Sequence, residues 1–446
     1  MNRERSAWLL SFVLLAIAAF WNPLAAQRDS DYRFVRTLVD IHRQVASNYV
    51  EAVDDGKLEQ AAIDGMLSAL DDPYTIYVPP ASRESFDRAL EGTFPGVGVQ
   101  LNQLANGEIE VVTPIDGSPA FRAGVKTGDI ILKVNGEPIA GLKIDQVVKK
   151  ISGEAGSEVV LTVRHATGKQ ENLKMARGKV VMPTVKGYRR SADDSWDFFV
   201  SRDPKVAYLR VTQFTSETYD ALRSDIQSLL KNGAKALILD LRWNPGGQLE
   251  SAVDVVRLFV REGVVVRTKG RNRPESIMRA TGQGTLPDFP LLVLVNEHSA
   301  SAAEVVAGSL LDNKRAWIIG ERTYGKGSVQ EVVPVEGTDG KLKMTVAYYF
   351  LPSGRLVHKR KGASDWGVEP QIKVPMDKDV QEKVMQERAE LERFRRPTTQ
   401  PTTAPTAPSG LDIQLARALE IARVMAVMQP NSARTPATLP AETGGQ

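Results

Sequence analysis

A chain of 446 residues, 42% hydrophobic and 25% charged, has enough apolar content for two or three domains, each with its own core. Its 57 Lys and Arg against 54 Asp and Glu leave a net charge of only +3, with no basic stripe interleaved with aromatics, so nucleic acid is not indicated as a partner. The complete lack of cysteine excludes disulfides, thiolate metal sites and a cysteine nucleophile; four histidines scattered at 42, 165, 298 and 358 argue against a histidine-rich metal site, and neither metal nor cofactor is expected.

Residues 6–27 carry no charge, follow Arg3 and Arg5 and contain the apolar run 9–21. This is the pattern of an export signal over 1–27, with Leu24-Ala-Ala26 as a candidate cleavage site. If retained, the same stretch would be an N-terminal membrane anchor; either way the chain is expected to be exported, to a periplasmic or other extracytoplasmic location.

Over 28–93 the apolar positions Phe34, Leu38, Ile41, Val45 and Tyr49, then Leu58, Ala62, Met66 and Leu70, have helical spacing and predict a small helical domain. Residues 94–178 alternate as short strands, with one short helix over 144–151. Here Ser118-Pro-Ala-Phe-Arg-Ala-Gly-Val-Lys-Thr-Gly-Asp129, followed by Ile-Leu-Lys-Val-Asn-Gly136, resembles a PDZ domain. That resemblance implies that Phe94-Pro-Gly-Val-Gly-Val99, and Val97, Gly98 and Val99 in particular, offers backbone N–H groups to the terminal carboxylate of a protein or peptide tail that pairs as an added strand. The alternative is a spacer with an idle groove.

From 179 to 375 strand and helix alternate: a strand over 207–214, a helix over 216–230, then Ala236-Leu-Ile-Leu-Asp-Leu241 running into Arg242-Trp-Asn-Pro-Gly-Gly247. Pro290-Leu-Leu-Val-Leu-Val295 is a continuous apolar run of the kind that makes a strand buried on both faces. Ser299 to Ala303 are all small, and the residues from Glu304 to Leu311 have helical spacing, so a strand turns sharply into a helix. Small residues there let a substrate approach, and the free N–H groups of the first helical turn can bind a developing oxyanion. A further strand, Ala316-Trp-Ile-Ile319, leads into Thr323-Tyr-Gly-Lys-Gly327, where glycines bring Lys326 close to neighbouring backbone; burial would have to lower its pKa for it to act as a base.

This stretch resembles the signature of the C-terminal processing (tail-specific) peptidases, a serine–lysine peptidase family. The resemblance makes Ser301, the second serine of Ser-Ala-Ser-Ala, the nucleophile and Lys326, 25 positions on (326 − 301), the base. Gln330 falls where the family has a glutamine that orients the lysine, and four residues along a strand it would share a face with Lys326. Asp-Leu-Arg-x-Asn-Pro-Gly-Gly is another family segment, which assigns oxyanion-hole N–H groups to Gly247 and Ala302. Leu70-Asp-Asp-Pro-Tyr-Thr-Ile-Tyr77 and Gly367-Val-Glu-Pro-Gln-Ile372 resemble two more, the latter with Gln371 in place of aspartate; His298 and Ala303 stand where glycine and a third serine are usual. The implied fold is an α/β catalytic core of the crotonase or Clp-protease kind, with a β-rich PDZ domain and an N-terminal helical domain.

Two local patterns carry less weight. His298, three residues before Ser301, suggests a Ser-His pair, but no aspartate is evidently placed to orient it. Ser228-Leu-Leu-Lys231 formally matches Ser-x-x-Lys but reads as the end of an ordinary helix. Beyond the core, 376–396 is a charged helix packing by Val380, Val384, Leu391 and Phe394, 397–410 a Pro/Thr-rich linker, and 429–446 a disordered tail. The helix over 411–428 is amphipathic and suited either to a partner protomer or to its own chain. The expectation is an exported serine endopeptidase, with a homo-oligomer or an adaptor protein left open. The rival readings are a PDZ scaffold with an inactive or gated peptidase domain, and another serine hydrolase such as an amidase or esterase.

Overall fold

The computed structural model describes residues 33–191, 195–392 and 410–428. The export-signal stretch, Phe394, all of the 397–410 linker except Gly410, and the tail from 429 lie outside the described residues. The chain divides into two compact units: the described residues up to Tyr77 with 332–334 and 341–344, and the remainder.

In the first unit the helical spacing gives helices over 33–48 and Asp55–Ser68, the second capped by Asp54, whose Oδ1 accepts from Lys57 N at 3.2 Å. The apolar stripe of these helices is left largely uncovered. Phe34, Leu38, Ile41, Tyr49 and Met66 all stay exposed, and Asp55–Ser68 buries nothing.

In the second unit, the strands Val99–Gln103, Ile109–Pro114, Ile130–Val134, Glu158–Arg164 and Gln170–Ala176 follow one another in an antiparallel sheet. Their inward positions, among them Ile109, Val111, Ile131, Val159, Leu161 and Val163, close on Val147 and Ile151 of the helix Ile144–Ile151. The two-residue period of the strands meets the helix's apolar face, which is why this segment holds a core of its own. Thr93–Gly96, a loop by sequence alone, pairs antiparallel with Gly178–Val181.

The strands Lys205–Val211, Ala236–Asp240, Leu291–Val295, Trp317–Gly320 and Ile372–Lys373 lie in that order, all parallel, with Leu237 opposite Leu291 and Leu292 opposite Trp317. Ala236–Asp240 and Leu291–Val295 are buried at every position, which explains their unbroken apolar composition. Leu237, Leu239, Leu291 and Val293 face the helices Thr218–Lys231, Leu249–Arg257 and Ala302–Asp312. Ile238, Leu292 and Leu294 face the other way, onto Leu415, Ala418, Leu419 and Ala422 of the helix Ile413–Met428. Of the two roles open to that helix, it takes the intramolecular one: it covers the second face of its own sheet. Burying Leu415 and Leu419 contributes about 1.5–3 kcal/mol each.

A sheet edge also binds the last segment: Ile318 N donates to Gln371 Oε1 at 3.0 Å, so the glutamine that replaces the usual aspartate fastens the outermost strand. The charged helix runs over Lys378–Glu392 among the described residues and buries Gln381 and Val384. A long hairpin, Glu262–Gly270 with Arg273–Thr281, has no counterpart among the sequence expectations, because its outer strand is mostly exposed and carries no alternating apolar pattern.

Candidate active site

Three neighbouring parallel strands end at the same edge of the sheet, and each continues into one of the loops singled out from sequence. Asp240 leads to Arg242–Gly247, Val295 to Asn296–Ser301, and Gly320 to Thr323–Gly327. Main-chain bonds join the loops: Ala300 N donates to Asn244 O at 2.9 Å, and Tyr324 N to Ser299 O at 3.0 Å. Trp243 N donates to Asn296 Oδ1 at 3.0 Å. Convergence of loops at the carboxyl ends of parallel strands is the usual place for a site in such sheets.

Ser299 and Ser301 have different surroundings. Ser299 is fully buried, and its hydroxyl donates to Leu241 O at 2.8 Å while accepting from Asn296 N at 3.0 Å. Ser301 is half-buried at the start of the helix Ala302–Asp312, with φ 55° and ψ −118°. A serine in that sparsely populated region costs about 1–3 kcal/mol and persists only where its surroundings fix it. Such a sharp strand-to-helix turn presents a hydroxyl outward.

The fixing group is Glu304, which by sequence alone is an ordinary helix position. It is completely buried. Its Oε2 accepts from Ser301 N at 2.9 Å and from Lys326 N at 2.8 Å; its Oε1 accepts from Gly325 N at 2.7 Å and from the Thr323 hydroxyl at 2.5 Å. Burial pushes its carboxyl above the usual range, and these four donors act in the opposite sense. On the other side, the buried Tyr349 hydroxyl lies against both Ser301 O, at 3.0 Å, and Lys326 O. The peptide units of Ser301 and Lys326 are thus held together twice, through their N–H groups and through their carbonyls.

The glycines beside Lys326 do what their small size suggested. Gly325 O accepts from Lys359 N at 2.8 Å, and a Cβ on Gly327 would lie 2.5 Å from His358 N. Gln330 sits differently from expectation. The strand begins at Ser328, so Lys326 lies in the loop before it and the shared-face argument does not apply. Gln330 Nε2 donates to Ser328 Oγ at 2.8 Å, to Ser328 O at 3.2 Å and to Thr345 Oγ1 at 3.3 Å.

Gly246 and Gly247 are required by close approach. A Cβ on Gly246 would fall 2.7 Å from Ser301 Cβ and 2.9 Å from Ala302 N; one on Gly247, at φ 141°, would fall 2.0 Å from Phe214 O. Gly246 N is engaged by Asn244 Oδ1 at 2.8 Å, and Ala303 N by Ala300 O at 3.1 Å. Among the described residues, the N–H groups of Gly247 and Ala302 have no protein acceptor. His298 is exposed and pairs with Glu297 at 3.7 Å, which does not build a Ser-His pair.

Away from these loops, a cleft of about 680 Å³ runs along the antiparallel unit. Its floor includes Val97, Gly98, Val99 and Leu101, and Val148 and Ile151 of the facing helix form a wall. Val99–Gln103 is an edge strand, paired on one side only, by Ile109–Pro114. Val97 O and Gly98 O are turned inward, accepting from Ala120 N at 2.8 Å and Ile115 N at 2.9 Å. Among the described residues there is no cluster of three His, Asp or Glu suited to a metal, and no helix long and apolar enough to cross a membrane.

Comparison with known proteins gives three family matches: peptidase family S41 over residues 205–374, a PDZ domain over 110–165, and the N-terminal domain of the activating protease CtpB over 25–80. A carboxy-terminal-processing protease of Bartonella bacilliformis is 38% identical over 329 residues, 72% of this chain and 72% of that protein. The carboxy-terminal processing protease CtpA of Bacillus subtilis is 35% identical over 337 residues, 75% of this chain and 68% of that one. A solved photosystem II D1 C-terminal processing protease is 29% identical, with 80% of this chain and 98% of that one covered and a TM-score of 0.43.

Proposed function

The chain belongs to the carboxy-terminal-processing proteases of peptidase family S41 and is a serine-type peptidase, and from that premise we propose that it cleaves proteins selected by their C-terminal tails, using Ser301 and Lys326. The observation that carries this reading is the double tie between the two residues through Glu304 and Tyr349. In the proposed cycle, the neutral amine of Lys326 takes the proton of Ser301 as Oγ attacks the scissile carbonyl. The resulting oxyanion sits between the N–H groups of Gly247 and Ala302, which have no protein acceptor among the described residues. One such donor is worth about 10²–10³ in rate. The lysine then gives its proton to the leaving amine, leaving an ester on Ser301. Water, deprotonated by the same amine, hydrolyses the ester and restores the serine. Gln330, whose Nε2 is held by Ser328 and Thr345, has its Oε1 left to orient the amine.

The apolar cleft beside the edge strand supports tail recognition. A substrate's last residues would pair with Val99–Gln103, an apolar terminal side chain would lie against Val97, Val148 and Ile151, and the carboxylate would meet the N–H groups of the loop at Val97–Val99. Residues 1–27 would export the chain, as a cleaved signal or a retained anchor.

The test is degradation of an unfolded protein whose C-terminus is either a free apolar residue or an amide, by the purified enzyme and by Ser301→Ala. The proposal requires cleavage that Ser301→Ala abolishes and amidation weakens. Carboxylate-dependent binding with no cleavage would favour the scaffold reading, and cleavage of small esters alone would favour another hydrolase.

A further inference from the structure

The loop that ends at Gly247 begins at Arg242, the largest fully buried side chain in the described residues. Its guanidinium has every donor occupied. Nε and Nη2 donate to Asp240, the nearest contact 2.8 Å; Nη1 and Nη2 donate in parallel to the two oxygens of Asp412, at 2.7 and 2.9 Å; and Nη1 also reaches Gln414 Oε1 at 3.1 Å. Asp412 is 170 positions away in sequence and heads the helix Ile413–Met428, accepting from Leu415 N at 3.0 Å. Arg388, from the helix Lys378–Glu392, completes the set at 3.0 Å from Asp240 and 3.4 Å from Asp412.

Two buried cations therefore face two buried anions. Burial opposes charge on Asp240 and on Asp412, but the neighbouring arginines outweigh it and hold both carboxyls below their usual range. A buried quartet of this kind is weak evidence for stability, since apolar side chains of the same volume would serve as well. Its distinctive property is direction: a planar guanidinium gripped by two carboxylates cannot rotate. The next five residues lead from that fixed side chain to the turn at Ser301. Trp243 is held at φ 58°, Asn244 Nδ2 donates to Val211 O at 2.8 Å, and Gly246 lies against Ser301 and Ala302.

We infer that Asp412, acting through Arg242, is a positioning residue for the loop that presents the Gly247 N–H, so that the C-terminal helix is part of the catalytic apparatus rather than an appendage to it. This rests on the oxyanion role proposed for Gly247. It assigns a task to a segment beyond the residues matched by the peptidase family, which end at 374.

The test compares the full chain with Asp412→Asn, Asp412→Glu and the double variant Asp412→Asn with Arg388→Met. Turnover of a quenched fluorescent peptide and the rate at which a fluorophosphonate modifies Ser301 are both read, beside the melting temperature. Asp412→Asn is expected to lower kcat about 10- to 100-fold with KM unchanged, and to slow phosphonylation by a similar factor. Asp412→Glu, which keeps two oxygens, is expected to recover part of the loss. The double variant removes the surplus buried charge and is expected to regain melting temperature while kcat stays low. Recovery of kcat together with stability in the double variant would reduce Asp412 to a structural role and overturn the inference, as would wild-type kcat in Asp412→Asn. A wild-type enzyme whose Ser301 is not modified would instead bring down the serine-peptidase reading on which the inference stands.

Discussion

Replacing Glu304 by glutamine and by alanine separates two roles that its carboxylate combines, acceptor for the Ser301 and Lys326 N–H groups and acceptor for Gly325 and Thr323. Glutamine keeps one oxygen. Turned toward Ser301 and Lys326, it preserves both of their bonds and sets its NH2 toward Gly325 N and the Thr323 hydroxyl. That hydroxyl, which already accepts from Val368 N at 2.6 Å, can accept from the amide as well, but its own hydrogen and Gly325 N then lose their acceptor, at about 1–3 kcal/mol each. Discharging a carboxyl that burial already disfavours offsets part of this. Alanine orphans three main-chain donors and the hydroxyl, roughly 3–9 kcal/mol for the three N–H groups alone if nothing relaxes. Such a loss rivals the whole stability of an ordinary domain. The expected order is therefore a modest fall in melting temperature and activity for Glu304→Gln and severe loss of both for Glu304→Ala. The assay is peptide turnover at a temperature where circular dichroism shows each variant folded, beside thermal denaturation. Equal, near wild-type turnover in both folded variants would refute the argument that Glu304 holds the two residues in place.

Tyr349→Phe removes only the hydroxyl that touches Ser301 O and Lys326 O, so it should cost about 1–3 kcal/mol and lower kcat roughly tenfold with KM unchanged; steady-state kinetics with unaltered kcat would disprove the clamp. Asp225 is half-buried and burial pushes its carboxyl up to about 6. Its native pKa lies above the unfolded one, so its stabilising contribution is complete below about pH 4 and is lost as pH rises through about 6. Asp225→Asn should then stabilise the fold by about 1–2 kcal/mol at pH 8, after discounting for solvent, and by nothing at pH 4; denaturant titrations showing a gain independent of pH would contradict this. Val148→Glu puts a charge on the apolar wall of the cleft and should weaken binding of a free apolar tail at least about tenfold, measured by fluorescence anisotropy, while cleavage of a short tail-less peptide is unchanged. Unaltered tail affinity would move the recognition site elsewhere.

Much of the site is legible in the sequence because its signals are local. Continuous apolar runs mark strands buried on both faces, small residues mark the turn at Ser301, and glycines flank Lys326 where His358 and Lys359 approach. What holds these parts together is not legible, because it comes from far along the chain. Glu304 looks like one more charged residue in a helix until folding buries it among four donors, Tyr349 lies 48 positions from Ser301, and Asp412 lies 170 from Arg242. The N-terminal helices show the opposite failure. Helical spacing foretells the helices, yet periodicity says nothing of what covers an apolar stripe, and Phe34, Leu38 and Ile41 remain exposed. Placing Gln330 on a face shared with Lys326 assumes one unbroken strand, whereas the strand starts two residues after the lysine. The helix near the C-terminus has an apolar face that sequence alone cannot assign; the two-sided burial of the parallel sheet is the physical reason it packs there.

Intact and peptide mass spectrometry after treatment with a fluorophosphonate decides whether Ser301 is a nucleophile activated by Lys326. A single adduct on Ser301 is expected in the wild-type chain, none in Ser301→Ala, and labelling slowed at least about a hundredfold in Lys326→Ala. An adduct on a different serine, or wild-type labelling of Ser301 in Lys326→Ala, would contradict that assignment.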